Sequence, residues 1–209
     1  MEEKIYTHSL EYAMQKGESD AYHASDSRNR KCAAAIDAAI SASNYEQYHY
    51  DLSAALKTVT KDFGLDRVAW VMAATVQHFD YDGRYSHANK EWARAFPIPD
   101  ERGRCPVFQS HPIVLDGFTD KVRGARLHEL AQVVGAYEKS HHMADRNRLT
   151  WFDSDMGTFF PNPGITERRL AERCSEITEK QSVLAQLRAE RKAAKAAPAP
   201  EKKPHEAER

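Results

Sequence analysis

Between Asp51 and His78 the sequence encodes two apolar helices separated by one glycine, and any fold of the chain has to be built around them. Asp51 is a good N-cap, because its carboxylate can accept from the free N–H groups of a first helical turn. Leu52, Ala55, Leu56, Val59 and Phe63 then recur at helical steps, and Gly64 stands where a helix ends. Residues 65 to 79 repeat the pattern with a wider apolar surface, Leu65, Val68, Trp70, Val71, Met72 and Val76, which predicts a central helix surrounded on several sides.

The flanking sequence is read in the same way. Thr7 to Gln15 predicts a short helix stopped by Gly17, and residues 19 to 42 predict a longer one, with Tyr22, Ser25, Asn29, Cys32, Ile36 and Ala39 on one face. Asp80 to Tyr85 reads as a turn, and Ser86 as the cap of a helix through Phe96. Pro97, Pro99, Gly103 and Pro106 mark an irregular connection, and Pro112 opens a helix that runs on towards His141. Residues 151 to 164 combine aromatic residues with turn formers and read as irregular; Thr166 to about Ala194 reads as a half-exposed helix, with Leu170, Ile177 and Leu184 spaced by seven. The expected fold is all-α: a helical core over 1–163, a C-terminal helix over 164–196 and a disordered tail over 197–209.

Charge and cysteine content exclude several classes. Thirty Lys and Arg stand against 31 Asp and Glu, so the net charge of -1 gives no overall field to draw in nucleic acid or an anionic membrane. Cys32, Cys105 and Cys174 are far apart and none falls in a Cys-x-x-Cys pair, which argues against a disulfide framework or a Cys-rich zinc site. The start Met1-Glu-Glu-Lys lacks the basic and apolar character of an export signal. The longest apolar run, Val68 to Val76, is about half of the roughly 20 residues a membrane-spanning helix needs. These features predict a cytoplasmic protein.

Chemistry-bearing residues are few. Asp80, Asp82 and Glu91 suggest a calcium loop, but Arg84 and Tyr85 occupy positions where that loop needs an oxygen ligand and its glycine. His78, Asp80, Asp82 and His87 could be drawn around zinc, although such clusters are common in polar loops; no metal or cofactor is expected. Cys32 reads as a small buried hydrophobe. Arg67 opposes the dipole of its own helix, which implies recruitment to a specific carboxylate or partner group. Ser25, Asn29, Arg67, His78 and Trp92 are assigned to an internal polar network, in preference to a ligand contact.

Six of nine tyrosines, Tyr6, Tyr12, Tyr22, Tyr45, Tyr48 and Tyr50, lie in the first fifty residues, where carboxylates outnumber Lys and Arg. Tyrosine supplies contact area with a polar tip, so such a surface suits docking to a basic protein groove. Packing accounts for the same residues equally well, with Tyr12 and Tyr22 in the core. Tyr45, Tyr48, Tyr50, Tyr81, Asp82 and Arg84 are the candidate partner-binding residues.

Tyr12-Ala-Met with Gly17-Glu18, then Ser25, Asn29, Cys32 and Ile36, Phe63-Gly64 with Arg67-Val68, Thr75-Val76-Gln77-His78, Asp82-Gly83-Arg84 with Ser86, and Asn89-Lys90 with Trp92-Ala93 form a spaced set. The set resembles, over about residues 8 to 130, an uncharacterised domain family that recurs on conjugative and phage-like elements of gut bacteria. The resemblance implies a genomic setting and no reaction. It leads to the expectation of a non-enzymatic macromolecule-binding accessory protein, with a host defence complex such as a CRISPR nuclease as partner. Two alternatives are a nucleic-acid-binding factor using Arg188, Arg191, Lys192 and Lys195, and a metal-dependent hydrolase around His78, Asp82 and His87.

Overall fold

The computed structural model describes the backbone of residues 4–99 and 105–196, and side chains through residue 182 together with 185 and 186. The expected disordered tail, 197–209, lies outside the described residues. In chain order the elements are α1 (Leu10–Lys16), α2 (Ser19–Ala42), β1 (Asn44–Glu46), β2 (His49–Tyr50), α3 (Leu52–Phe63), α4 (Leu65–His78), α5 (His87–Arg94), α6 (Pro112–Ser140), β3 (Thr150–Asp153), β4 (Thr158–Pro161) and α7 (Glu167–Ala196). The expectation of an all-α fold is corrected: the chain is mostly helical but carries two antiparallel two-stranded sheets, β1 with β2 and β3 with β4. The physical reason is local. The strands of β1–β2 are shorter than the alternating runs from which strands are read, and β3–β4 is built from the aromatic residues of the segment read as irregular.

Packing divides the chain within α6 into a first unit, Met1–Glu129, and a second, Leu130–Arg209. In the first unit the caps act as their residues dictate. Asp51 accepts from Ala54 N at 2.9 Å, Ser86 Oγ from Asn89 N at 3.3 Å, and Ser9 Oγ from Tyr12 N at 3.2 Å. Gly64 is the sole residue between α3 and α4, and its φ of 76° with ψ of 153° is open only to glycine. That sharp joint folds α4 back among its neighbours, so Val68 through Val76 are all buried. Ile36, Val59, Val71, Met72, Leu115 and Phe118 fill the core around them.

Polar side chains tie the helices of this unit together. Gln77 Nε2 donates to Ala93 O at 2.6 Å and Phe96 O at 3.1 Å, which ties the end of α4 to the end of α5. Asn89, fully buried, donates to Asp116 Oδ1 at 2.6 Å and to Asp116 O at 3.0 Å, and accepts from Arg123 Nη1 at 2.7 Å. Thr75 Oγ1 donates to Val71 O at 2.7 Å and accepts from Val107 N at 3.1 Å, which pins the segment before α6 onto α4.

Tyr85 is the exception to this satisfaction. It is 3% exposed, stacks on Phe79 at 6.2 Å, and its hydroxyl has no hydrogen-bond partner among the described residues. A buried unpaired hydroxyl costs about 1–3 kcal/mol. Tyr85→Phe is therefore expected to raise the unfolding free energy by about 1 kcal/mol in urea titration, and a loss of stability would contradict this account.

The second unit is a β-hairpin mounted on the last turns of α6. Trp151 pairs with Phe160 and Phe152 with Phe159, so alternate residues point to opposite faces and Phe159 faces the helix. Gln132 acts as a substitute strand for one edge, donating to Phe159 O at 2.7 Å and accepting from Phe159 N at 3.0 Å. Glu138, 1% exposed, serves the other edge, accepting from Leu149 N at 2.8 Å and from Thr150 Oγ1 at 2.8 Å and N at 3.2 Å. Each edge is thus bonded at one point by a helix side chain, which reduces the open ladder groups that make an isolated hairpin prone to aggregate. Leu170 and Ile177 of α7 are buried, and Arg173 lies 5.5 Å from the Tyr137 ring.

Candidate functional site

Arg67 answers the question raised by its position. Its Nη1 donates to Asn29 Oδ1 at 2.6 Å and to Ser25 O at 3.4 Å, and Ser25 Oγ accepts from Tyr6 N at 3.0 Å. Three of the residues assigned to a polar network thus meet at the start of α4. The recruited groups include an amide and a backbone carbonyl, where the dipole argument anticipates a carboxylate or a partner group. His78 and Trp92 are not part of this cluster. His78 lies at the other end of α4, edge-on to Phe79 at 4.7 Å and Phe108 at 5.7 Å, and Trp92 packs on Phe96 at 4.8 Å.

The residues drawn around a metal are held by other partners. Asp82 binds Arg84 through both oxygens, the shortest contact being 2.6 Å, and this guanidinium holds the Asp82 carboxyl down at about 2. Asp80 accepts from Arg94 at 3.1 Å, and His87 faces Glu91 at 3.6 Å. Among the described residues no three His, Cys, Asp or Glu side chains stand where they could share an ion. The side chains of Arg188, Arg191, Lys192 and Lys195 lie outside the described residues.

Burial decides the behaviour of two thiols. It pushes the Cys32 thiol up to about 12; at Cys105 burial and then the hydrogen bond to Asp26 Oδ1, 3.1 Å long, do the same. A thiol so raised stays protonated at neutral pH and is a poor nucleophile. Labelling of native protein with an aromatic disulfide reagent at pH 8 is expected to reach half-buried Cys174 first, with Cys32 and Cys105 reacting only on unfolding. Rapid native labelling of Cys105, mapped by mass spectrometry, would contradict this.

The tyrosines separate into two classes. Tyr22 is buried, Tyr50 packs on the core, and Tyr12 is 39% exposed. Tyr45, Tyr48 and Tyr81 are 67%, 81% and 84% exposed. Their common location follows from the helices. Arg67, in the first turn of α4, bonds to the first half of α2, whereas His78, in the last turn, lines a groove with Ala34 and Asp37 further along α2. The two helices therefore run parallel. The β1–β2 hairpin leaves the end of α2 and the Asp80–Tyr85 turn leaves the end of α4, so the three exposed tyrosines emerge at one end of the unit.

A groove between α2, the end of α4 and the segment before α6 holds about 440 Å³ and is lined on the α2 side by Ala33 and Ala34. Its walls are His78 and the segment from Cys105 to Gln109, with Phe108 largely exposed. Asp37 lies on its α2 side, 8% exposed. Ser110 N donates to Asp37 Oδ1 at 2.8 Å and Ser110 Oγ at 2.7 Å, and Gln109 N donates to Oδ2 at 3.3 Å. Sequence reasoning missed Asp37 and Phe108, because the partners of Asp37 lie more than seventy positions away.

No helix of the described residues is long and apolar enough to cross a membrane. Neither a curated protein nor a solved structure matches the chain. A family model described as "Protein of unknown function (DUF3849)" matches residues 5–127, which almost coincides with the first unit and leaves the β3–β4 hairpin and α7 outside the match. On the strength of that match, which spans more than half of its length, the chain belongs to the DUF3849 family.

Proposed function

We propose that the first unit is a binding module that acts by covering a surface of another protein with its tyrosine-bearing end, and that the chain is an accessory protein of a mobile genetic element. The observation that carries this reading is the contrast between two sets of polar groups. Those between the helices are engaged with one another, as at Arg67–Asn29 and Asn89–Asp116. Tyr45, Tyr48 and Tyr81, by contrast, are exposed on two turns. Tyrosines held on short turns offer contact area at small entropic cost.

The resemblance of the sequence to proteins of conjugative and phage-like elements of gut bacteria supplies the setting, and a host defence complex such as a CRISPR nuclease is the partner we propose, with the cytoplasm as the compartment. The test is a phage-plating assay in a host armed with such a nuclease. Expression of the chain is expected to restore plating, and the triple variant Tyr45→Ser, Tyr48→Ser, Tyr81→Ser to lose most of that effect. Equal plating with and without the chain would remove the defence role. A triple variant as active as the parent would remove the tyrosine surface.

A further inference from the structure

We infer that the groove beside Asp37 receives a guanidinium side chain from the partner protein. The inference deepens the proposed function, on which it rests, by naming the chemistry of the partner. Asp37 carries the argument. Its carboxylate is more than nine-tenths buried at the groove wall, yet every donor it has among the described residues is neutral, two backbone N–H groups and one hydroxyl. A buried carboxylate without a cation is under-compensated in a low-dielectric site, and oxygen Oδ2, which takes only the 3.3 Å bond from Gln109, keeps a lone pair for a further donor.

Three other features of the groove favour a cation. The C-terminal turn of α4 ends at His78 on its wall, so the open carbonyls of that helix contribute a partial negative charge. Phe108, 65% exposed, and the His78 ring set edge-on to it offer flat surfaces over which a planar guanidinium stacks better than an ammonium. The small Ala33 and Ala34 on its α2 side leave room for a side-chain stem. Arg30, also on the rim, does not oppose this, because Asp26 pairs with it at 3.0 Å.

The probe is the blocked tripeptide acetyl-Gly-Arg-Gly-amide added to the full chain, followed by NMR shifts, with the citrulline tripeptide as neutral isostere and the glutamate tripeptide as charge reversal. Saturable shifts at Ala33, Ala34, His78 and Phe108 are expected with the arginine peptide, weakened at least about tenfold by citrulline and by Asp37→Asn. The asparagine variant keeps the acceptor oxygen and removes the charge; its urea midpoint reports whether it folds, and Phe108→Ala is a second variant expected to weaken binding without disturbing Asp37. Absence of shifts, equal binding of the citrulline or glutamate peptide, or binding indifferent to both variants would overturn the inference. Peptide binding in a chain that leaves phage plating unchanged would instead keep the groove and refute the defence role.

Discussion

Gly135→Val is expected to remove about 3 kcal/mol of stability and to loosen the β3–β4 hairpin. A Cβ at Gly135 would overlap Cγ and Cδ1 of Phe159 and stand 2.8 Å from its Cβ, closer than real carbon atoms approach. The ring cannot simply rotate away, because the Cβ contact is fixed by the backbone. That backbone is held by the two hydrogen bonds to Gln132, so retreat of the hairpin breaks them. Gly124 sits in the same helix with nothing within 4 Å of its would-be Cβ. Gly124→Ala should therefore gain about 1 kcal/mol from helix propensity alone. Opposite signs at two glycines of one helix, read by urea unfolding with hydrogen exchange over residues 150 to 161, are the expected result. A neutral Gly135→Val would show that the hairpin does not seat on α6.

The second large effect is expected at Asn29→Leu, a loss of about 2 kcal/mol. Both Asn29 and Arg67 are 4% exposed, and the 2.6 Å bond between them is charge-assisted, the stronger class of hydrogen bond. Leucine keeps the branching of the amide and is the larger side chain, so the loss reports the missing acceptor and some crowding, with no cavity opened. Arg67→Met added to Asn29→Leu should recover part of the loss, because a buried pair replaced on both sides costs less than one broken on a single side. The check is a double-mutant cycle on urea midpoints at constant slope. Strict additivity of the two substitutions would contradict a direct link.

How much of this could be read in advance depends on the range over which each signal acts. Asp51, Ser86, Gly17 and Gly64 mark helix ends through local chemistry, and α2, α3 and α4 lie where their spacing predicts them. The hairpins were less legible. β1–β2 turns at Tyr48 with φ of 69°, where glycine or asparagine would have been the signal, and its strands are only three and two residues long. β3–β4 was legible in principle. Thr-Trp-Phe-Asp and Thr-Phe-Phe-Pro flank a turn in which Asp153 Oδ1 accepts from Asp155 N and Met156 N and Gly157 takes a positive φ.

The site divides in the same way. The local argument from the helix dipole points Arg67 to a carboxylate or a partner group, and the groups that meet it include the Asn29 amide oxygen and the Ser25 carbonyl. Nothing local links Asp37 to Ser110, or His78 to Phe108, since those pairings exist only once α2, α4 and the segment before α6 are packed. For the same reason His78, Asp82 and His87, close in sequence, go to different neighbours.

The central claim is that polar groups inside the first unit hold the helices while the tyrosine end does the work, and it is tested most directly by measuring unfolding free energy and phage plating on the same two proteins. For Tyr45→Ser, Tyr48→Ser, Tyr81→Ser the account predicts an unfolding free energy within about 0.5 kcal/mol of the parent, as for exposed positions generally, with plating lost. For Asn29→Leu it predicts reduced stability, with plating retained wherever the protein remains folded. A triple variant that unfolds early but still restores plating would contradict the account.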